Sequence, residues 1–123
     1  MKGLVKVVVL FVICALLFSA CDNQRIGTDA DIETGRALFE RRVIGSQTGC
    51  STCHSITEGE VIVGPSLAGI GSREDPQDLR ESILDPDAEI VDGFSEGTMP
   101  DVWNEALTSQ QVDQLVAYLL TLK

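Results

Sequence analysis

Five consecutive residues, Cys50-Ser51-Thr52-Cys53-His54, constrain this chain more than any other stretch. Two thiols with two residues between them sit about one helical turn apart, and a histidine follows directly. A c-type haem attachment site has this spacing. Each thiol can form a thioether with one of the two vinyl groups on a single haem edge. His54 then offers a ring nitrogen to the iron as an axial ligand. A bare Cys-x-x-Cys also serves zinc sites and thioredoxin-like dithiols, and the adjoining histidine is what favours haem over both.

Further counts weigh on those rivals. The chain has 123 residues, 4 cysteines, 2 methionines and 1 histidine. Structural zinc usually takes four protein ligands, and with Cys14 and Cys21 committed elsewhere only Cys50, Cys53 and His54 remain. A thioredoxin-like dithiol belongs in alternating strands and helices, a pattern missing from this sequence. The length suits one small domain, whose core is marginal without a staple. Aromatic residues make up only 5% of the chain, which fits a core built partly from a large apolar cofactor.

The N-terminus reads as a targeting segment. Lys2 and Lys6 precede an unbroken apolar run from Val7 to Phe18, and the small residues Ser19 and Ala20 follow. Charge, apolar run and small residues in that order mark a secretory signal. As a helix the 12-residue run spans about 18 Å, short of the roughly 30 Å hydrocarbon core. Leu17-Phe18-Ser19-Ala20-Cys21 resembles a bacterial lipoprotein box, which implies lipidation of Cys21; the alternative is an ordinary cleaved signal with Cys21 incidental. The expected organisation is a signal over residues 1–20, a lipid-anchored tether over 21–30 and one domain over 31–123. Loss of residues 1–20 takes away Lys2 and Lys6, leaving 7 basic against 19 acidic side chains, a net charge of −12. There is no basic stripe to neutralise phosphates, so nucleic-acid binding is disfavoured.

Helices are expected at three places. The first covers Asp31 to Arg42, with acidic residues in its opening turn, arginines in its last, and Ile32, Gly35, Leu38, Phe39 and Val43 near one face. The second starts at Asp75-Pro76, an N-cap followed by a proline suited to the first turn. It carries the apolar pair Leu79 and Ile83 and stops at Asp85-Pro86. The third starts at the capping box Thr108-Ser109-Gln110-Gln111, with Val112, Leu115, Val116, Leu119 and Leu122 at helical spacing. Residues 55–70 and 88–101 read as loops. Val61-Ile62-Val63 is strand-like but too short and isolated to make a sheet.

A haem iron on His54 needs a sixth ligand or keeps an open position. No second histidine exists, and after signal removal Met99 is the only methionine. Pro100 biases Met99 away from helical geometry, so a loop can present the thioether inward, 45 residues after His54.

On these motifs the chain resembles the class I, monohaem, bacterial-type cytochromes c over roughly residues 31–123. The resemblance implies an all-α fold of three to five short helices around one covalently bound haem c, with the N- and C-terminal helices crossing. Gly35, Phe39 and Tyr118 match the family's crossing residues. Gly64-Pro65-Ser66-Leu67 matches its Gly-Pro-x-Leu, which implies that the Pro65 carbonyl accepts a hydrogen bond from His54 and that Leu67 packs on the haem. Phe94 and Trp103 are expected to line the pocket. Arg73 is either a propionate partner or a solvated arginine. The stretch from Asp78 to Trp103 is similar to cytochrome domains associated with haem–copper oxidases. Mitochondrial-type members present a ring of lysines around the haem edge; here Lys123 is the only lysine outside the signal.

The function expected is one-electron transfer, without catalysis, at a haem held by Cys50 and Cys53 with His54 and Met99 on the iron. The protein would be exported, lipid-anchored at Cys21, and served by redox protein partners such as a respiratory complex, an oxidase or another oxidoreductase. Alternatives are a dedicated haem subunit of a membrane oxidoreductase and, from another class, a haem enzyme or gas sensor with a labile distal ligand.

Overall fold

The computed structural model describes residues 27–123. The signal segment, Cys21 and the tether up to Ile26 lie outside the described residues. Five α-helices carry the fold: α1 (Asp29–Phe39), α2 (Cys50–Cys53), α3 (Pro76–Leu84), α4 (Trp103–Ala106) and α5 (Ser109–Leu119). A 3-10 turn covers Ile70–Ser72, and two antiparallel two-residue strands, β1 (Val43–Ile44) and β2 (Gln47–Thr48), form a small hairpin between α1 and α2. The architecture is the all-α one expected.

α1 begins two residues before the expected Asp31. Thr28 caps it, its hydroxyl accepting from the Asp31 N–H while the Asp31 carboxylate accepts from the Thr28 N–H. This reciprocal pair satisfies two donors that a helix start otherwise leaves open. The helix also ends sooner than expected, with Glu40 as C-cap. Arg41 and Arg42 therefore follow the helix instead of closing its last turn, and only Arg36 sits there. Val43 corrects the expected face as well: it is exposed on β1, and Ile44 takes the buried position. Once the chain leaves helical geometry, alternation across a strand decides which side chain points inward.

α3 and α5 start where the capping signals put them. Asp75 accepts from the N–H groups of Gln77 and Asp78, and Thr108 and Gln111 exchange hydrogen bonds across the first turn of α5. Both helices bury their expected apolar residues, except that α5 ends at Leu119 and leaves Leu122 beyond it, partly buried.

α1 and α5 cross closely. A Cβ placed on Gly35 would lie 1.8 Å from the Gln114 carbonyl oxygen of α5, so the contact is backbone on backbone and only glycine permits it. Phe39 and Tyr118 pack beside the crossing with ring centroids 5.5 Å apart, tilted by 51°, within the range that favours aromatic pairs. Gln114 is buried and donates to Asp31 Oδ1 at 3.2 Å, which ties the cap of α1 to the middle of α5. Burial pushes the Tyr118 hydroxyl above its ordinary value, with Glu40 adding to the push. Leu38, Leu115, Val116 and Leu119 complete the core on this side.

Candidate functional site

α2 sets the geometry of the site. The His54 N–H donates to the Cys50 carbonyl at 2.9 Å, closing a single turn that holds both cysteines and delivers the histidine. His54 itself is extended, so the chain leaves the turn at once. It then loops and comes back: the N–H groups of Val63 and Gly64 donate to the Cys53 carbonyl at 3.2 and 2.9 Å, and Leu67 N–H donates to the Ser55 carbonyl at 2.8 Å. These three bonds lay Gly64-Pro65-Ser66-Leu67 against the imidazole.

The ring is then fixed from two directions. His54 Nδ1 lies 2.9 Å from the Pro65 carbonyl oxygen. A carbonyl can only accept, so Nδ1 carries the hydrogen and the neutral ring keeps its lone pair on Nε2. Gly64 supports the flat of the ring. A Cβ there would lie 2.5 Å from Cε1, 2.9 Å from Nδ1 and 3.0 Å from Nε2. Any larger residue would occupy space that the imidazole uses.

One cavity of about 460 Å³ adjoins this arrangement, and its walls are mostly apolar. It brings together every candidate within the described residues: Cys50, Cys53, His54, Pro65, Leu67, Phe94, Met99 and Trp103. Cys21 lies outside the described residues. Phe39, Leu79, Leu115 and Leu119 also reach the cavity, so the helix core and the cavity share walls. Burial pushes the Cys50 thiol above the ordinary cysteine value, with a smaller push from Cys53. Trp103 is buried, and its indole nitrogen has no hydrogen-bond partner in the chain. Arg73 lines the cavity and donates to the Ala68 carbonyl at 2.7 Å.

The loop bearing Met99 is fixed by turns and not by a regular element. Asp87 Oδ1 accepts from the Gly97 N–H at 2.9 Å, and the Ser95 carbonyl accepts from the Thr98 hydroxyl at 2.7 Å. α4 follows directly after Pro100-Asp101-Val102 and puts Trp103 against the core. This short helix was not anticipated from sequence, and neither was the contact between Gly64 and the ring. The Gly-Pro-x-Leu match pointed at the right segment, but the demand on Gly64 appears only once the chain has returned over His54.

These features define a class: a small all-α domain with a buried apolar cavity, two thiols one turn apart and a histidine locked in one tautomer at the cavity wall. The residues fit a haem, because the thiols, the free Nε2 and the apolar walls meet at one place. The family model for Cytochrome c matches residues 32–123. The chain belongs to the cytochrome c family, whose members generally carry electrons on a covalently attached haem c, and its Cys50-x-x-Cys53-His54 turn fits the attachment motif. No curated protein and no solved structure matches the chain. Among the described residues no helix is long and apolar enough to cross a membrane.

Proposed function

We propose that the protein is an exported, membrane-tethered one-electron carrier in which His54 and Met99 are the two axial ligands of the iron and Cys50 and Cys53 form the thioethers. The haem supplies the chemistry, a ferrous–ferric couple. The chain's residues supply everything around it. Pro65 holds Nδ1–H so that Nε2 is the nitrogen offered to the metal, and a partner of this kind both orients a ligating imidazole and raises its basicity. Met99 offers a neutral thioether, and a Met/His pair raises the reduction potential relative to two histidines. Leu67, Phe94 and Trp103 exclude water from the cavity, which lowers the local dielectric and further tunes the couple. With both axial positions taken, no position is left for peroxide or O₂, which argues against an enzyme or gas sensor.

The observation that carries this reading is that Met99 and His54 line the same cavity in a chain with no other histidine. The ferric holoprotein should show the weak red absorption band of iron–methionine ligation, and Met99→Ala should abolish it and open the ferrous form to rapid CO binding. Survival of the band in Met99→Ala would overturn the axial assignment.

Tethering rests on the lipoprotein-like Cys21. One acyl chain anchors weakly, and stable attachment takes two signals, so more than one chain on the terminal cysteine is expected. Detergent phase partition of the wild type and of Cys21→Ser should differ, with only the wild type entering the detergent phase. The proposed partners are redox proteins of the membrane: a respiratory complex, an oxidase or another oxidoreductase. Nucleic acid is not among them.

A further inference from the structure

The loop after His54 carries three β-branched residues that the fold does not bury: Ile56, Val61 and Ile62 are 49%, 60% and 50% exposed. The loop is not slack. Ser55 is buried, and its hydroxyl binds the Thr57 N–H and the Glu60 carboxylate. The Ser66 hydroxyl donates to the Thr57 carbonyl at 2.6 Å, and both ends of the loop are pinned through Cys53 and Ser55. The apolar side chains are therefore displayed from a fixed support. Val63, Ile90 and Val91 are also exposed, and they line the mouth of the haem cavity. A bound haem covers part of those three. It does not cover Ile56, Val61 or Ile62, which are not among the residues lining the cavity.

Acidic side chains fringe this apolar face. Glu58 and Glu60 stand on the same loop, and Asp87 and Glu89 line the cavity mouth. A second concavity of about 180 Å³ runs along α3 and is lined by Glu74, Asp78, Glu81, Asp85 and Glu89. It shares Glu74, Glu89 and Val91 with the cavity mouth. The basic residues nearby are engaged: Arg73 with the Ala68 carbonyl and Arg80 with Asp113. At the place where the haem is reached from outside, the surface is thus apolar in the centre and negative at the rim.

We propose that this surface docks a redox protein whose own docking face is apolar at its centre and rimmed with lysine or arginine. This rests on the electron-carrier reading and adds to it the chemistry of the partner. Apolar contact over a small face gives a weak complex, as turnover between carriers requires. The opposite charges at the rim steer the encounter and fix its orientation.

The test uses the holoprotein in its ferrous state, labelled with ¹⁵N, and a mitochondrial-type cytochrome c as the probe, because its lysine ring has the required chemistry. Titration at low salt should shift the amides of Ile56, Val61, Ile62, Ile90 and Val91. Electron exchange followed by stopped flow should slow as salt is raised. Ile56→Ser/Val61→Ser/Ile62→Ser should lower its rate constant about tenfold, equivalent to about 1.4 kcal/mol, whereas Glu33→Gln/Glu40→Gln on α1 should leave it unchanged. Shifts confined to α1, no shifts at low salt, or wild-type exchange by the triple variant would overturn the proposal. So would the same amides responding to protein concentration alone, which indicates a second copy, or to phosphatidylcholine vesicles, which indicates a lipid surface. Protein-film voltammetry separates the two levels of inference: a reversible one-electron couple alongside failed docking sinks only the docking face, and no couple sinks the carrier reading.

Discussion

Replacement of Gly64 by alanine tests the support of His54 directly. Gly64 has no positive φ, so alanine brings no backbone strain and the effect is steric. The new Cβ would sit 2.5 Å from Cε1 of the imidazole, whereas ordinary contact begins at 3.4 Å, so one of the two must retreat by about 0.9 Å. Neither does so freely. The Gly64 backbone is bonded to the Cys53 carbonyl, and the ring is bonded to the Pro65 carbonyl at 2.9 Å. A retreat of that size takes the Nδ1–O distance beyond hydrogen-bonding range. Loss of the bond costs about 1 kcal/mol, and overpacking adds about 1–3 kcal/mol, for a total of about 2–4 kcal/mol. For a domain of this size each kcal/mol moves the midpoint by about 4–8 °C, so thermal unfolding followed at the haem absorbance should fall by about 10 °C or more. The reduction potential should move too, because the imidazole loses the acceptor that raises its basicity. If Gly64→Ala unfolds within about 0.5 kcal/mol of the wild type, the ordinary range for a surface change, with an unchanged potential, then the ring is not held in the way described.

Two further perturbations address the rest of the fold. Gly35→Ala places a Cβ 1.8 Å from the Gln114 carbonyl oxygen; the helix-propensity gain of about 1 kcal/mol does not offset separating α1 from α5, so denaturant unfolding should show a net loss, and a stabilised variant would refute the close crossing. Asp31 is held below the usual carboxylate value by the Thr28 hydroxyl, the Gln114 amide and the Thr28 N–H. Its contribution is therefore present above the unfolded-state value of about 3.9 and lost as pH falls through the lower folded value. Asp31→Asn should flatten that part of the acid limb in denaturant midpoints measured against pH, and an unchanged limb would show that the carboxylate contributes nothing.

What was legible in the sequence was local. Thr108 with Gln111 and Asp75 with Pro76 announce helix starts because the donors and acceptors they satisfy lie within one turn. The Cys50-to-His54 run announces its chemistry because ligand spacing is itself local. Met99 was legible by elimination and by its proline. The start of α1 at Thr28 was not, although Thr28 and Asp31 form the reciprocal pair seen at α5: Asp29 and Asp31 offered competing starts, and the choice depends on Gln114, 83 residues from Asp31 along the chain. Val43 and Ile44 exchanged roles because helical spacing stops applying where α1 ends. Gly64 was quoted as part of a motif, but its reason lies in three backbone bonds that fold the loop back onto His54. Ile56, Val61 and Ile62 were apolar in sequence with nothing to say that they stay outside.

The division of the core explains why α5 is the helix that tolerates least. Of the twelve buried apolar residues, six (Phe39, Leu79, Trp103, Leu107, Leu115 and Leu119) also line the cavity. Half of what would be a hydrophobic core in another small domain therefore faces the haem, and a chain of this length has little apolar surface to spare. Leu115 and Leu119 turn toward the cavity, whereas Gln114 and Tyr118 meet α1, so one helix carries both contacts and is buried almost all round. Stress at the crossing is thus stress at the cavity wall, and a haem that fills the cavity supports the crossing in return. The loops bearing Ile56, Ile62 and Ile90 stand outside that shared core. The surface that meets other proteins can therefore vary in charge and shape while His54, Pro65 and Met99 stay where the helices put them.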